Sequence, residues 1–153
     1  MKSFRKVLVI ASSIMLLTAS LYAAEKISLE GIKCVVNPKG AAKEGTGVDY
    51  KGGQVFFCCM NCPKAFKANT AKFATSANHQ LVATKQTVQK ACPLSGQPCK
   101  EDKALTIQGA TIYFCCDNCK GAVAKLEGKE QVEKVFSDAA FKKAQISVKK
   151  DEK

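Results

Sequence analysis

The sequence predicts an α+β protein built as two small tandem units, each a cysteine turn, a β-hairpin and a helix. Three observations carry this. The stretch Val55-Phe56-Phe57-Cys58-Cys59-Met60-Asn61-Cys62-Pro63-Lys64-Ala65-Phe66 returns 57 positions later as Ile112-Tyr113-Phe114-Cys115-Cys116-Asp117-Asn118-Cys119-Lys120-Gly121-Ala122-Val123. An internal repeat of this kind signals a tandem architecture. Each copy is preceded by bulky residues alternating around a glycine pair or its equivalent, Gly52-Gly53 and Gly109-Ala110, which reads as a hairpin. Each copy is followed by apolar residues at helical spacing, with Phe66 and Phe73 in the first unit and Val132, Val135, Phe136, Ala139 and Ala140 in the second.

In chain order, residues 1–24 carry Lys2, Arg5 and Lys6, then an apolar run from Val7 to Leu21, then Tyr22-Ala23-Ala24. A basic start, an apolar middle and small residues before Glu25 make a secretory signal peptide, with an uncleaved anchor as the alternative. The run is short for a membrane span and no second one follows, so no stable span is expected after cleavage. The chain is therefore expected to be exported, either periplasmic or secreted.

The formal net charge is +11; setting aside the three basic residues of the leader leaves 21 Lys and Arg against 13 Asp and Glu, or +8. A basic balance can mark a nucleic-acid binder. Here the lysines are dispersed, no arginine follows Arg5, and export removes the chain from nucleic acid, so a solvated basic surface is the better reading.

The repeat divides the remainder into units at 25–85 and 86–148, with a charged tail at 149–153. Units of about 60 residues are marginal on an apolar core alone and usually need staples, for which the nine cysteines are the candidates. In each window the first cysteine ends the hairpin's second strand. The residue four positions on, Cys62 or Cys119, falls in a helix's first turn, with Asn61 or Asn118 as the expected N-cap. A strand end and a helix start can bring thiolates together around a metal, and the helix N-terminus favours their ionised form. Cys58 with Cys62 and Cys115 with Cys119 are thus the core ligand pairs. Cys34 and Cys92, upstream of Cys58 and Cys115, supply a third sulfur to each.

The fourth position differs between the units. Cys99 is expected to return across the turn Pro93 to Pro98 and close a four-sulfur site in the second. The first has Cys59, His79 or a water. Cys59 and Cys116 are spare thiols, alternative ligands or core residues, and His79, the single histidine, is placed in a polar loop. From this follows an expected asymmetry, a closed site in the second unit and an open, exchangeable one in the first. Met60 tilts the first unit towards copper, or is simply an exposed methionine.

Cys92-Pro93-Leu94-Ser95-Gly96, the hairpin, and Tyr113-Phe114-Cys115-Cys116-Asp117-Asn118-Cys119 together resemble the YHS and TRASH group of small metal-binding domains, which are similar to treble-clef zinc modules. The second unit keeps the cysteine turn but has Val123 where the family has Phe; the first keeps Cys58-x-x-x-Cys62-x-x-x-Phe66 but has Cys34-Val35-Val36-Asn37-Pro38 as its turn. The resemblance implies two tandem treble-clef-like units binding zinc, copper or another soft metal, and not an enzyme. Neither window offers the carboxylate or histidine base that metal-assisted hydrolysis needs. The implied partners are a metal ion and a metal-transport or metal-enzyme protein.

The competing reading is a disulfide framework or thiol-redox module, since exported small domains are often cross-linked. Nine cysteines leave one unpaired, and adjacent cysteines suit disulfides poorly; the repeated spacing favours metal.

Overall fold

The structure is a computed structural model that describes residues 27–149. The expected signal peptide at 1–24 and most of the charged tail lie outside the described residues. Mixed α+β architecture is borne out: three two-stranded antiparallel sheets and five helices occupy the described residues.

The first hairpin pairs β1 (Val48–Tyr50) with β2 (Gly53–Val55), and Val48 lies opposite Val55. The turn residues are Lys51 and Gly52, with φ of 50° and 88°, one position earlier than the Gly-Gly pair suggests. Positive φ at both central residues is the two-residue turn whose twist matches that of the strands. Gly53 instead serves close packing. A Cβ there would stand 2.9 Å from both Leu81 Cδ2 and Gln86 Oε1.

Two helices follow where one was expected, α1 (Asn61–Ala68) and α2 (Thr70–Ala83), separated by Asn69 at φ −149°. Asn69 caps α2, its side chain accepting the Lys72 N–H at 3.1 Å. The rings of Phe66 and Phe73 lie 6.5 Å apart across this break. Leu81 and Val82 belong to α2, and so does His79.

The stretch between the units is not a plain linker. β3 (Thr87–Val88) pairs antiparallel with β6 (Ser147–Val148) at the far end of the described chain. Between them the second hairpin pairs β4 (Lys100–Ile107) with β5 (Ala110–Phe114), turning at Gln108 and Gly109 with φ of 48° and 87°. The two turns thus repeat the same geometry. α3 (Asp117–Ala124), α4 (Gly128–Phe136) and α5 (Asp138–Lys143) complete the chain. The helix expected from Val132 to Ala140 is divided at Ser137, whose ψ of 155° is extended, and Ala139 faces solvent.

The two halves share one core. Phe57, Phe66, Ala77 and Leu81 from the first join Ile107, Ile112, Phe114, Val123 and Phe136 from the second in a single buried cluster. α2 is the element between them, packing on β5 and α4 as well as on its own hairpin. Units that are marginal separately gain burial by sharing an interior. Asn78, fully buried on α2, donates to the Phe136 carbonyl and to Asp138 Oδ1, both at 2.9 Å. It accepts from Lys51 Nζ at 3.0 Å, and Lys51 also pairs with Asp138 at 2.6 Å.

Candidate metal centres

Each half builds a cysteine cluster from the same parts. A short loop closed by one β-bridge carries the upstream cysteine: Lys33 pairs with Ala41 in the first half and Ala91 with Pro98 in the second. Inside those loops the Cys34 N–H donates to the Gly40 carbonyl at 2.9 Å, and the Cys92 N–H to the Gln97 carbonyl at 2.8 Å. Neither first cysteine ends its strand. Cys115 directly follows β5, and Cys58 lies three residues past the end of β2 at Val55, where Phe56 and Phe57 continue outside the ladder. The next helix carries Cys62 or Cys119 in its first turn. Asn61 and Asn118 lie inside these helices rather than at the cap; Met60 and Cys116 hold the cap positions, and neither makes a side-chain capping bond.

Glutamines that the sequence gives no reason to single out fix the approach of each hairpin. Gln80, buried on α2, accepts the Phe56 N–H at 2.6 Å and donates to the Phe56 carbonyl at 2.9 Å and the Lys33 carbonyl at 2.7 Å. It therefore holds both arms of the first site, one residue before Cys34 and two before Cys58. Gln89 treats Tyr113, the counterpart of Phe56, in the same way, at 2.9 and 2.7 Å.

The sulfurs of Cys34, Cys58 and Cys62 all lie within 4.8 Å of one another, and so do those of Cys92, Cys115 and Cys119. Cys58 and Cys62 are 3.7 Å apart, as are Cys115 and Cys119. Two thiolates bound tetrahedrally to zinc at ~2.3 Å are separated by about 3.8 Å, so these pairs already have the spacing of a metal site's edge. All nine cysteines are free, and even Cys59 and Cys62, 3.5 Å apart, are far beyond the ~2.05 Å of a disulfide. Both triads are close enough to hold a metal ion.

The expected closing ligands are placed elsewhere. Cys99 does not join the second triad. Because Pro98 bridges to Ala91, the chain at Cys99 runs back alongside Lys90, whose carbonyl accepts the Cys99 N–H at 3.4 Å. The Cys99 thiol then points to the Gln89 carbonyl at 3.8 Å and stays outside the mutually close sulfurs of Cys92, Cys115 and Cys119. The four-sulfur site expected there is a three-sulfur one, which removes the basis for a closed second site and an open first one. His79 is not in a polar loop either. Its Nε2 lies 3.0 Å from the Ile107 carbonyl and its ring stands edge-on to Phe136 at 4.9 Å, where burial holds its pKa below the ordinary value. It is an inter-half core contact.

The electrostatics set the helix sulfurs, Cys62 and Cys119, apart from the loop sulfurs, Cys34 and Cys92. Burial pushes the Cys62 thiol up, and neighbouring Cys59, Cys58 and Cys34 add to that. Burial likewise pushes Cys119 up to about 12. For Cys34 burial also acts upwards, but N–H groups of Asn37, Cys58 and Val36 outweigh it and the net shift is down; the Asn37 N–H donates to its sulfur at 3.3 Å. Cys92 is brought to about 7 against its burial by Ser95, Cys115 and Leu94. The Ser95 hydroxyl also lies 3.2 Å from Cys115 Sγ, a polar contact inside the second triad that the cysteine spacing does not announce. A cluster in which one thiol ionises easily and another resists in the absence of a cation suits a site where metal displaces the remaining protons.

No protein-family profile, curated protein or solved structure matches the chain.

Proposed function

We propose that this protein is an exported, cysteine-rich binder of a soft metal, zinc or copper, that sequesters, delivers or senses it through two equivalent three-sulfur sites of YHS and TRASH type. The observation that carries the reading is the pair of triads, each assembled from a bridged loop, a hairpin end and a helix start, with a 3.7 Å edge in both. Thiolate sets select zinc and cuprous ions over magnesium or calcium. Three sulfurs leave a coordination position open, which a partner protein's ligand can fill during delivery. Export rests on the basic and apolar leader of residues 1–24. Among the described residues no helix is long and apolar enough to cross a membrane. The role is binding rather than catalysis.

Metal analysis of the purified protein tests this, with free thiols counted before and after chelation. One to two equivalents of zinc or copper are expected, released by chelator with loss of folded structure. Metal-free protein with an unchanged melting transition and no reactive thiols would overturn the reading.

A thiol-redox function has one specific observation in its favour. Cys59 is exposed, 3.5 Å from Cys62 in a Cys-x-x-Cys pair, and backbone N–H groups of Cys62 and Asn61 bring its pKa to about 7. Such a catalyst has no use for Cys34 and Cys58 around the same partner. Insulin reduction well above the rate of free thiols would establish it instead.

A further inference from the structure

The first cluster holds one sulfur more than a triad. Cys59 Sγ lies 3.5 Å from Cys62 Sγ, closer than Cys58 does at 3.7 Å, yet it is outside the mutually close group of Cys34, Cys58 and Cys62. Cys62 therefore belongs to two sulfur edges, an inner one with Cys58 and an outer one with Cys59. Cys59 is exposed whereas Cys34 and Cys62 are buried, so the outer edge faces solvent. The next residue, Met60, is 67% exposed and packs on nothing in the core. A thiol and a thioether are thus both exposed at consecutive positions beside the triad.

The second half differs at the helix start, where α3 begins at Asp117, one repeat position earlier than α1 at Asn61. Cys116 is only half-exposed and its sulfur lies 3.7 Å from Cys115. Asp117 stands where the first half has Met60, and it is held by Lys103 at 2.9 Å, which also pairs with Asp102 at 3.2 Å. A hard carboxylate tied to an ammonium group offers nothing to a soft cation.

We propose that Cys59, seconded by Met60, is the exchange ligand of the first site, receiving cuprous ion from a thiolate-bearing donor and passing it across the Cys59–Cys62 edge into the triad. This rests on the metal-binding reading above and adds the direction of entry and the ion. Thiolate with thioether selects cuprous copper among the ions a three-sulfur site can hold. On outward transfer the Cys59 sulfur bonds the ion and its thiol proton goes to solvent. The Cys34–ion bond breaks, and the released Cys34 thiolate takes up a proton. Two acceptor thiols, each losing its proton to solvent, then displace Cys58, Cys62 and finally Cys59, and each released thiolate takes up a proton. Entry from a donor runs the same steps in reverse. Bonds and protons balance, and no electron moves.

The test loads the purified, reduced protein anaerobically with cuprous ion and follows its removal by bathocuproine disulfonate in stopped flow. Two phases are expected. Cys59→Ser should slow the fast phase about tenfold while the number of bound ions stays unchanged, as loss of a ligand-supporting residue does. Met60→Leu should slow it less, and Cys116→Ser should leave it as it is. Cys59 and Met60 are both exposed, so neither substitution disturbs the core. A Cys59→Ser protein with both phases intact overturns the exchange role, and so does one that loses a full equivalent at equilibrium, because Cys59 would then be a resident ligand. Wild-type protein that retains no cuprous ion fails differently: it overturns cuprous specificity if zinc is held, and the metal reading itself if neither is.

Discussion

The side-chain amide of Gln80 pairs with both backbone groups of Phe56, accepting its N–H at 2.6 Å and donating to its carbonyl at 2.9 Å. An amide used this way acts as a one-residue strand alongside the segment that delivers Cys58. Its second donor bond, to the carbonyl of Lys33, ties the Cys34 loop to the same side chain. The position of two of the first triad's sulfurs thus depends on a residue of α2.

Gln80→Leu leaves these backbone groups buried and unpaired, and each such group costs ~1–3 kcal/mol. The expected result is a loss of about 3 kcal/mol in urea unfolding together with weaker metal binding at the first site. Gln89→Leu should do the same to the second site by a smaller margin, since Gln89 is only half-buried. A Gln80→Leu protein of unchanged stability would show that the clamp is not needed.

What the sequence discloses and what it withholds divide along a physical line. The triads are legible because the 57-residue repeat carries both the spacing and the local elements that set it. A glycine at the hairpin turn and a cysteine in a helix's first turn, four residues after the window's first cysteine, are local choices. Cys99 is misplaced because its direction is decided by the Ala91–Pro98 pairing, which no periodicity reports. Gln80 and Gln89 are invisible for a related reason. They do not stand at equivalent repeat positions, one following its hairpin and the other preceding it, yet they perform the same task. The shared core is hidden too. The apolar residues of α2 announce a buried face, but nothing in their spacing says that the face meets Phe136 and Ile107 of the other half.

His79 gives the fold a pH dependence. Its folded pKa is depressed by burial, so the unfolded chain binds the proton more readily. Its contribution is fully present above the unfolded value of ~6.5 and is lost as pH falls through the folded value. Asp138 acts lower, its carboxyl held down by Lys51 and Asn78 and its contribution lost below the ordinary carboxylate range. The thiols of Cys59 and Cys92, at about 7, act higher. Reduced, metal-free protein should therefore lose stability in urea as pH falls below about 6.5, and His79→Gln should flatten that slope. Equal slopes in the two proteins would remove His79 from the account.

With three sulfurs in each triad, the sites should be matched in affinity. Cys34→Ser and Cys92→Ser each remove the loop sulfur of one triad, and each should abolish one equivalent while sparing the other. Competition against a chromogenic chelator should show losses of the same size. Cys99→Ser should leave both sites filled, its thiol being turned to the Gln89 carbonyl. Loss of an equivalent in Cys99→Ser would restore a four-sulfur second site.

Gly40 offers a way to perturb the first site without touching a sulfur. A Cβ at this position would stand 2.8 Å from Cys58 Cβ and 3.0 Å from Cys58 Sγ, closer than real Cβ atoms come. Something must shift, and the Gly40 carbonyl cannot move freely because it accepts the Cys34 N–H at 2.9 Å. The contact is therefore relieved by pushing Cys58 and the Cys34 loop apart, which opens the triad's edge. Gly40→Ala should weaken the first site by about one to two orders of magnitude, the range found when the support of a metal ligand is removed. The second site should be untouched, and the metal-free fold should lose about 1–3 kcal/mol, as overpacking does. Gly121 is the control. It lies within α3 beside Cys119 with open space around it, so Gly121→Ala should leave metal binding alone and raise stability by up to about 1 kcal/mol, the helix propensity difference. Chelator competition and urea unfolding on the same two proteins decide the matter. If Gly40→Ala holds both equivalents as tightly as wild type, the Cys34 loop and Cys58 do not converge on one ion.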